Sequence, residues 1–501
     1  MLSRSPLRSL TPLTRSRYLQ TRHKSSLVLS DAQRSTIYAL GTPPGKAGVA
    51  VVRVSGPDAL ETWRGMVKGS GGHETTPQPW KLKRCRIVHP QNGETIDDGL
   101  AVFFKGPKSF TAEDTVELHL HSGPAVIAAA LAALSTFPTC RPAAPGEFTR
   151  RAFLNGRMDL TQVEGLKDLI DAGTESQRKI ALRAAEGAIR EKFDELRQRI
   201  ISALAKVEAL IDFGEGEEIE EGVYEDARSQ VTEVVDIIKG YLNDHRRGEL
   251  LRSGIRLAIF GPPNAGKSSL LNILARREAA IVTPIPGTTR DILELALDIG
   301  GLPVIVADTA GLRKTDDTVE QIGIERARKA VANSDVSICV LSLPDLQNLT
   351  EDGNNWKELI TPNTYFLLNK ADLMPAQWRP DSAVLRELGV VQERMWVSSL
   401  AKRDGFEVFL SGFASALQKQ FGMSDDLTEA TQSPIITRQR HRENLENATR
   451  FLESALAYGP DDIVFAAEEL RYAANAIGKV TGAIGVEDVL DAVFRDFCIG
   501  K

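Results

Sequence analysis

One octapeptide constrains this chain more than any other feature. Leu257-Ala258-Ile259-Phe260 is a short apolar run that leads into Gly261-Pro262-Pro263-Asn264-Ala265-Gly266-Lys267-Ser268. The following residues, Ser269-Leu270-Leu271-Asn272-Ile273-Leu274, read as the start of a helix. Strand, glycine-rich loop and helix in that order match the phosphate-cradling pattern G-x-x-x-x-G-K-[ST]. The glycines let backbone N–H groups converge on phosphate oxygens, and the helix N-terminus adds a favourable dipole. Residues Asn264 to Ser269 then line the phosphates, with Lys267 neutralising the β- and γ-phosphates and Ser268 ligating Mg²⁺. A chance match without a phosphate is the competing reading, and the strand–loop–helix setting argues against it. From Arg256 to about Phe421 strand and helix patterns alternate, as in a doubly wound parallel sheet.

Further pieces follow in the order such a site needs. Gly287-Thr288-Thr289-Arg290-Asp291 lies in a Pro-rich loop, where a threonine can reach the metal and the γ-phosphate. Val304-Ile305-Val306-Ala307 reads as a strand ending in Asp308-Thr309-Ala310-Gly311. There a carboxylate can hold Mg²⁺ through water and the Gly311 N–H can sense the γ-phosphate. Phe366-Leu367-Leu368 runs into Asn369-Lys370-Ala371-Asp372. Asp372 can accept two hydrogen bonds from the N1–H and N2–H₂ edge of guanine, donors that adenine lacks, so the wrong base leaves a carboxylate unpaired. Trp396-Val397-Ser398-Ser399-Leu400-Ala401 is the late strand and loop that places Ser399, Leu400 and Ala401 beside the base. Together the five pieces specify GTP. Leu312 follows the D-x-x-G segment, where many small GTPases carry a water-orienting glutamine. Glu320 is a candidate for that task; the alternative is an exposed glutamate at a helix start.

The rest of the chain sets the organisation. At 501 residues it is too long for one core, and about three domains are expected. Residues 1–36 carry Arg4, Arg8, Arg15, Arg17, Arg22, Lys24 and Arg34 against the single acid Asp31, with Ser, Thr and Leu between them. That is a mitochondrial presequence composition; a basic RNA-binding tail is the alternative. Without it the body carries a net charge of −12, which excludes holding a nucleic acid by bulk charge. No stretch reaches the ~18 apolar residues of a membrane span. Cys85, Cys140, Cys339 and Cys498 are scattered, without metal-ligand spacing, as suits a reducing compartment. Residues 35 to about 149 read as strands, among them Gly48–Gly56, Asp98–Phe104 and Thr115–His121. Residues 152–252 and 435–497 read as helical, so the α/β segment is inserted into a helical domain. The acidic run from Asp212 to Glu218 reads as a solvated loop.

Three segments, Pro263–Asn272, Pro286-Gly287-Thr288-Thr289-Arg290-Asp291 and Asp308-Thr309-Ala310-Gly311-Leu312-Arg313, resemble the TrmE-Era-Der group of GTPases. The flanks narrow this. Thr42-Pro43-Pro44-Gly45-Lys46-Ala47-Gly48-Val49, Ser109-Phe110-Thr111-Ala112-Glu113-Asp114, Pro145–Gly156 and the terminal Phe497-Cys498-Ile499-Gly500-Lys501 resemble the MnmE (TrmE) family, over about residues 35–501. With the basic leader, the resemblance is to a mitochondrial member.

The resemblance implies a tRNA-modification GTPase of mixed α/β and α+β architecture. Its expected parts are a presequence over 1–34, a β-rich folate-binding and dimerisation domain over 35–151, a helical domain over 152–252 and 422–501, and an inserted doubly wound P-loop G domain over 253–421. It implies a homodimer that works with an FAD flavoprotein of the MnmG (GidA) type. Together they install a carboxymethylaminomethyl-type or taurinomethyl-type group on C5 of the wobble uridine of mitochondrial tRNAs. A tetrahydrofolate derivative supplies the one-carbon unit, and the tRNA is held mainly through the partner. By the same resemblance Asn264 and Thr288 are side-chain K⁺ ligands, with Thr283 and Ile285 offering carbonyls. Ser268 and Thr289 bind Mg²⁺, Glu320 orients water, and Arg53, Glu117 and Lys501 contact the folate. The family's lysine after Leu-Asn-x falls at Arg157, which keeps the charge and changes the reach. Prolines at 284 and 286 stiffen the K⁺ loop without removing its carbonyls. Cys498 is read as a reactive thiol or as a small buried residue. Two other readings are an RNA-binding ribosome-assembly GTPase and a dynamin-like scaffold. The first calls for a basic RNA-binding module after the G domain, where a helical segment stands instead. The second would not need folate contacts.

Overall fold

The structure, a computed structural model, describes residues 35–69, 76–213, 222–244, 246–277, 295–306, 320–346, 356–375, 382–387, 389–422, 434–484, 490, 493–495, 497 and 499–500. The basic leader and the acidic loop after Phe213 lie outside the described residues.

The chain divides into two units. The first holds residues up to 109, 113–144 and Gly500. Its strands are β1 (Thr36–Leu40), β2 (Ala47–Ser55), β3 (Val67–Lys68), β4 (Lys83–Val88), β5 (Thr95–Phe104), β6 (Thr115–Ser122) and β7 (Cys140–Pro142), with helices α1 (Ala59–Met66) and α2 (Pro124–Ser135). They form one sheet in the order β3-β4-β5-β6-β2-β1-β7, antiparallel except for the β1–β7 pair. Alternation decides the two faces. Val116, Leu118 and Leu120 of β6 and Val52 and Val54 of β2 turn inward onto Trp63, Met66 and Leu134 of the helices. The intervening Glu117, His119 and Arg53 stand on the other face. The three sequence-predicted strands are all present; α1 and α2 interrupt a stretch that reads from sequence as strands.

The second unit holds residues 110–112, 145–499 and 501. Its first helices are α3 (Glu147–Leu154), α4 (Leu160–Asp171), α5 (Glu175–Glu186), α6 (Ala188–Phe213), α7 (Val223–Leu242) and α8 (Arg247–Ser253). Helical structure thus starts at Glu147, a few residues before the expected 152. Asp159 and Thr174 each close a reciprocal capping box, with Gln162 and Gln177, which sets where α4 and α5 begin. The α/β region follows: β8 (Ile255–Phe260), α9 (Lys267–Arg277), β9 (Leu295–Ile299), β10 (Leu302–Val306), α10 (Glu320–Ala332), β11 (Val336–Ser342), β12 (Thr364–Asn369), α11 (Ser382–Glu387), β13 (Met395–Val397) and α12 (Phe406–Gln420). The sheet order is β13-β12-β11-β8-β10-β9, with β9 antiparallel to β10 and every other pair parallel.

Both faces of this sheet are covered, so its strands are mostly apolar, with Arg256 of β8 and Asp298 of β9 as charged exceptions. Leu257, Ile259, Ile338 and Leu367 join a core with Leu271 of α9 and Phe409 and Phe413 of α12. Their neighbours Ala258, Phe260, Cys339 and Leu368 join a second core on the opposite face with Val331 of α10. The chain then returns as α13 (Gln439–Ala457) and α14 (Ile463–Thr481). These two helices share one core with α6 and α7: Phe193, Ile200 and Val234 meet Leu445, Leu452, Leu470 and Ile477. The α/β region is therefore an insertion between two halves of a helical bundle. Its two chain crossings touch: a Cβ on Gly248 of α8 would lie 2.1 Å from the Ile436 carbonyl oxygen. Among the described residues no helix is long and apolar enough to cross a membrane.

Candidate nucleotide site

The site forms at the C-terminal ends of β8, β11 and β12, where a doubly wound sheet leaves a crevice. β8 ends at Phe260 and α9 begins at Lys267, so the loop between them lies where the sequence motif requires. Two of its glycines are obligatory. Gly261 has φ +136° and sits so close to β11 that a Cβ would lie 2.2 Å from the Val340 oxygen; Gly266 has φ +109° and a Cβ there would meet Asn369 Nδ2 at 2.1 Å. Asn264 takes the left-handed conformation, φ +55°, with its side chain exposed at the loop crest. Ala265 is fully buried and fixes the loop to the core.

Lys267 curls back over its own loop, its Nζ donating 3.0 Å to the Gly261 oxygen and 2.7 Å to the Pro262 oxygen. Burial lowers the pKa of this ammonium, with the Cys339 thiol opposing. An incoming anion would satisfy it better than two neutral carbonyls do. Ser268 and Ser269 are exposed at the start of α9.

The base side is built by hydrogen bonds among the predicted residues. Asn369 is buried and bridges two loops: its Nδ2 donates 2.8 Å to the Ala265 oxygen, and its Oδ1 accepts from Leu400 N at 3.1 Å. One side chain thus locks the phosphate loop to the base loop. Ser399 Oγ donates 2.6 Å to Asp372 Oδ1 and accepts from Lys402 N at 3.2 Å. That bond from Ser399 holds the Asp372 carboxyl below its ordinary pKa, so it is an acceptor-only carboxylate. Ser398 N bonds to the Leu368 oxygen and Ala371 N to the Ser398 oxygen, tying the end of β13 to the end of β12. Lys370 adopts a left-handed conformation, φ +68°, and its Nζ lies 3.7 Å from Asp345 Oδ2. Leu400 is buried and Ala401 is exposed at the loop tip. The structure thus brings Asn264 to Ser269 together with Asn369, Lys370, Asp372 and Ser399 to Ala401. Thr283, Ile285, Thr288, Thr289, Asp308, Thr309, Ala310 and Gly311 lie outside the described residues. Glu320 is the first residue of α10, and its side chain lies outside them too.

In the first unit Arg53 and Glu117 are cross-strand partners on β2 and β6. Arg53 Nη2 and Nε reach Glu117 Oε1 at 2.8 and 2.9 Å. Burial would raise the Glu117 carboxyl, but His119 and Arg53 outweigh it and hold it below its ordinary value. His119, which the sequence reading passed over, places its Nε2 3.6 Å from Glu117 Oε2. The strand alternation of Glu117-Leu118-His119 was the signal that could have found it. Arg157 belongs to the second unit, exposed in the turn after α3. Lys501 and Cys498 lie outside the described residues. Cys85, Cys140 and Cys339 are free thiols, and burial raises the pKa of each, that of Cys85 to about 11.

A family profile described as the GTP-binding protein TrmE N-terminus matches residues 36–157, and one described as the MnmE helical domain matches residues 160–498. The "tRNA modification GTPase MnmE" of Parvibaculum lavamentivorans is 45% identical over 93% of this chain and 100% of its own length. The mitochondrial "5-taurinomethyluridine-[tRNA] synthase subunit GTPB3" of Danio rerio is 43% identical over 93% of each chain. The Homo sapiens protein of the same description is 39% identical over 95% of this chain and 96% of its own.

Proposed function

The chain belongs to the MnmE (TrmE) family, is a GTPase acting in tRNA modification, and is mitochondrial; from that premise we propose that it is the K⁺-dependent GTPase of a complex that modifies C5 of the wobble uridine of mitochondrial tRNAs. The observation that carries the nucleotide reading is the Asn369 bridge between the phosphate loop and the base loop. It fixes the distance between a phosphate cradle and a guanine acceptor, Asp372, before any ligand arrives, and preorganisation of this kind lowers the ordering that binding requires.

Lys267 binds and neutralises the β- and γ-phosphates, exchanging its two carbonyl partners for phosphate oxygens. Asp372 accepts from the guanine edge, with Ser399 holding it in place. Ser268 would hold Mg²⁺ together with Thr289, Asp308 acting through water. Asn264, at the crest of the loop, would hold K⁺ together with Thr283, Ile285 and Thr288. A cation held there would supply positive charge that stabilises the transferring phosphoryl group. Gly311 would sense the γ-phosphate, and Glu320 would orient the attacking water, since Leu312 has no polar atom to do so.

The acid–base pair Arg53–Glu117 suits the polar edge of a pterin, which offers both donors and acceptors. We assign it, with Lys501 and Arg157, to a tetrahydrofolate derivative that provides the one-carbon unit. The division into 35–151, 152–252 with 422–501, and 253–421 belongs to the same proposal, as do the presequence over 1–34, the matrix location, the homodimer, the MnmG-type FAD partner and a reactive thiol at Cys498.

The test is GTP turnover in KCl against NaCl at equal ionic strength. The expected outcome is a rise of about tenfold or more in K⁺ that Asn264→Ala abolishes. Equal rates in the two salts would remove K⁺ from the mechanism.

A further inference from the structure

The α4–α5 pair touches the nucleotide-binding region where neither phosphate nor base contacts are made. β9 and β10 form the hairpin joining the two segments, 278–294 and 307–319, that carry the sequence motifs for sensing the γ-phosphate. Its turn is Gly300-Gly301. Ser176, buried in the first turn of α5, donates its hydroxyl 2.5 Å to the Gly301 carbonyl oxygen. One turn on, Ile180 packs against the core beneath the hairpin. Between them Gln177 Nε2 donates 3.0 Å to the carbonyl oxygen of Arg252, three residues before β8 starts. Three successive contacts from one helix thus fall on the hairpin and on the stem of the insertion.

The other end of the pair is anchored in the bundle. Gly165 of α4 meets α5 so closely that a Cβ would lie 2.5 Å from Ala185 N, so the two helices shift together or not at all. The adjacent Glu164 is buried. It accepts from Arg440 Nε and Nη2, both at 2.7 Å, and its Oε2 lies 3.0 Å from His441 Nε2. Asp168 accepts from Arg438 Nη2 at 2.7 Å. Arg438, Arg440 and His441 open α13, the helix on which the chain returns from the insertion. Burial would raise the Glu164 carboxyl, but His441 and Arg440 outweigh it and hold it far below the ordinary range. A buried carboxylate shared by Arg440 and His441 adds little net stability over an apolar contact; what it enforces is one geometry.

We propose that the α4–α5 pair is the conformational link through which the helical bundle reads the nucleotide state, with Ser176 the positioning residue at the hairpin and Glu164 the anchor. The hairpin joins the two segments that carry the γ-phosphate motifs in the sequence, and a shift of the hairpin moves the turn that Ser176 holds. Ser176, Ile180 and Gln177 carry that shift into α5, the Gly165 contact carries it into α4, and Glu164 and Asp168 carry it to the start of α13. The coupling is reciprocal: a partner that displaces the bundle must change the affinity for GTP relative to GDP.

The inference rests on the nucleotide reading of the site, and one experiment separates the two. Hydrogen exchange is followed in the full chain, nucleotide-free, with Mg·GDP and with a non-hydrolysable Mg·GTP analogue, in KCl. The phosphate-loop amides and those of residues 175–180 are both expected to respond, the latter by at least about threefold between the GDP and GTP-analogue forms. Ser176→Ala combined with Gln177→Ala should keep GTP turnover within about twofold and abolish the α5 response, while Ser176→Thr, which keeps the hydroxyl, should retain it. A wild-type protein whose phosphate loop responds while α5 does not overturns the link and leaves the GTPase intact. A response that survives in the double variant removes Ser176 from the role. If neither region responds, the nucleotide reading falls and the link with it.

Discussion

The two sheets of this protein hold their candidate sites in opposite ways. The six-stranded sheet of the α/β region is covered on both faces, and its candidate residues stand at or past the strand ends: Asn369 closes β12, and Lys267, Asp372 and Ser399 follow in the loops and the start of α9. The seven-stranded sheet of the first unit has one face under α1 and α2, and its candidate residues Arg53, Glu117 and His119 stand within the strands, on the other face. In the first arrangement function and fold are separable, because the polar side chains of Lys267, Asp372 and Ser399 add little to the apolar core. In the second they are not, because the ion pair is itself a cross-strand contact.

That contrast can be broken by experiment. The largest effect belongs to Asp372→Ala. Removing the carboxylate proposed to read the guanine edge should reduce the preference for GTP over ATP by roughly 10⁴-fold, measured by competitive binding, with the melting temperature nearly unchanged. Lys267→Ala should lower GTP turnover by about 10²–10³-fold, again with little change in melting. A large drop in stability in either variant would mean that strand-end residues also hold the covered sheet together.

Glu117→Gln should behave differently. It weakens the pairing of a partly buried Arg53 and should cost about 1 kcal/mol, seen as a fall in melting of the first unit whether or not the proposed folate is present. The pH dependence sharpens the point. The folded-state pKa of Glu117 is depressed, so its stabilisation is present above the ordinary glutamate value of 4.5 and is lost as pH falls below it. The gap in stability between wild type and Glu117→Gln should therefore be widest at neutral pH and close on acidification below about pH 4.5. A gap independent of pH would show that the pair contributes shape and not charge.

Legibility in the sequence followed the same divide. The phosphate loop and the Asn369–Asp372 segment were readable because each demands particular residues: glycine where a Cβ would strike a neighbouring strand, a carboxylate where a base edge must be read. The strands of the first unit were readable from alternation, but α1 and α2 were not, and α2 is apolar nearly all round, with no helical stripe to betray it. Arg53 and Glu117 came from family resemblance alone, since register between distant strands cannot be read from one chain. The Glu164 cluster was missed altogether. Its only trace is Arg438-Gln439-Arg440-His441-Arg442, which looks like a solvated basic run until the fold places buried carboxylates opposite it.

The insertion also dictates the order in which this chain can be made. Arg471 and Glu208, which pair at 2.8 Å, are 263 residues apart, and the core of the bundle spans the same interval. At 5–20 residues per second a ribosome needs roughly tens of seconds to cross it. Throughout that time α6 and α7 wait with an apolar flank uncovered, a natural client for a holding chaperone. Meanwhile the α/β region, most of whose core is its own, can fold as it emerges. Once folded it brings Gly248 and Ile436 side by side, so the long loop is already closed when α13 and α14 arrive. Substitutions that slow folding of the GTPase core should therefore surface as aggregation of the bundle, a region they never touch.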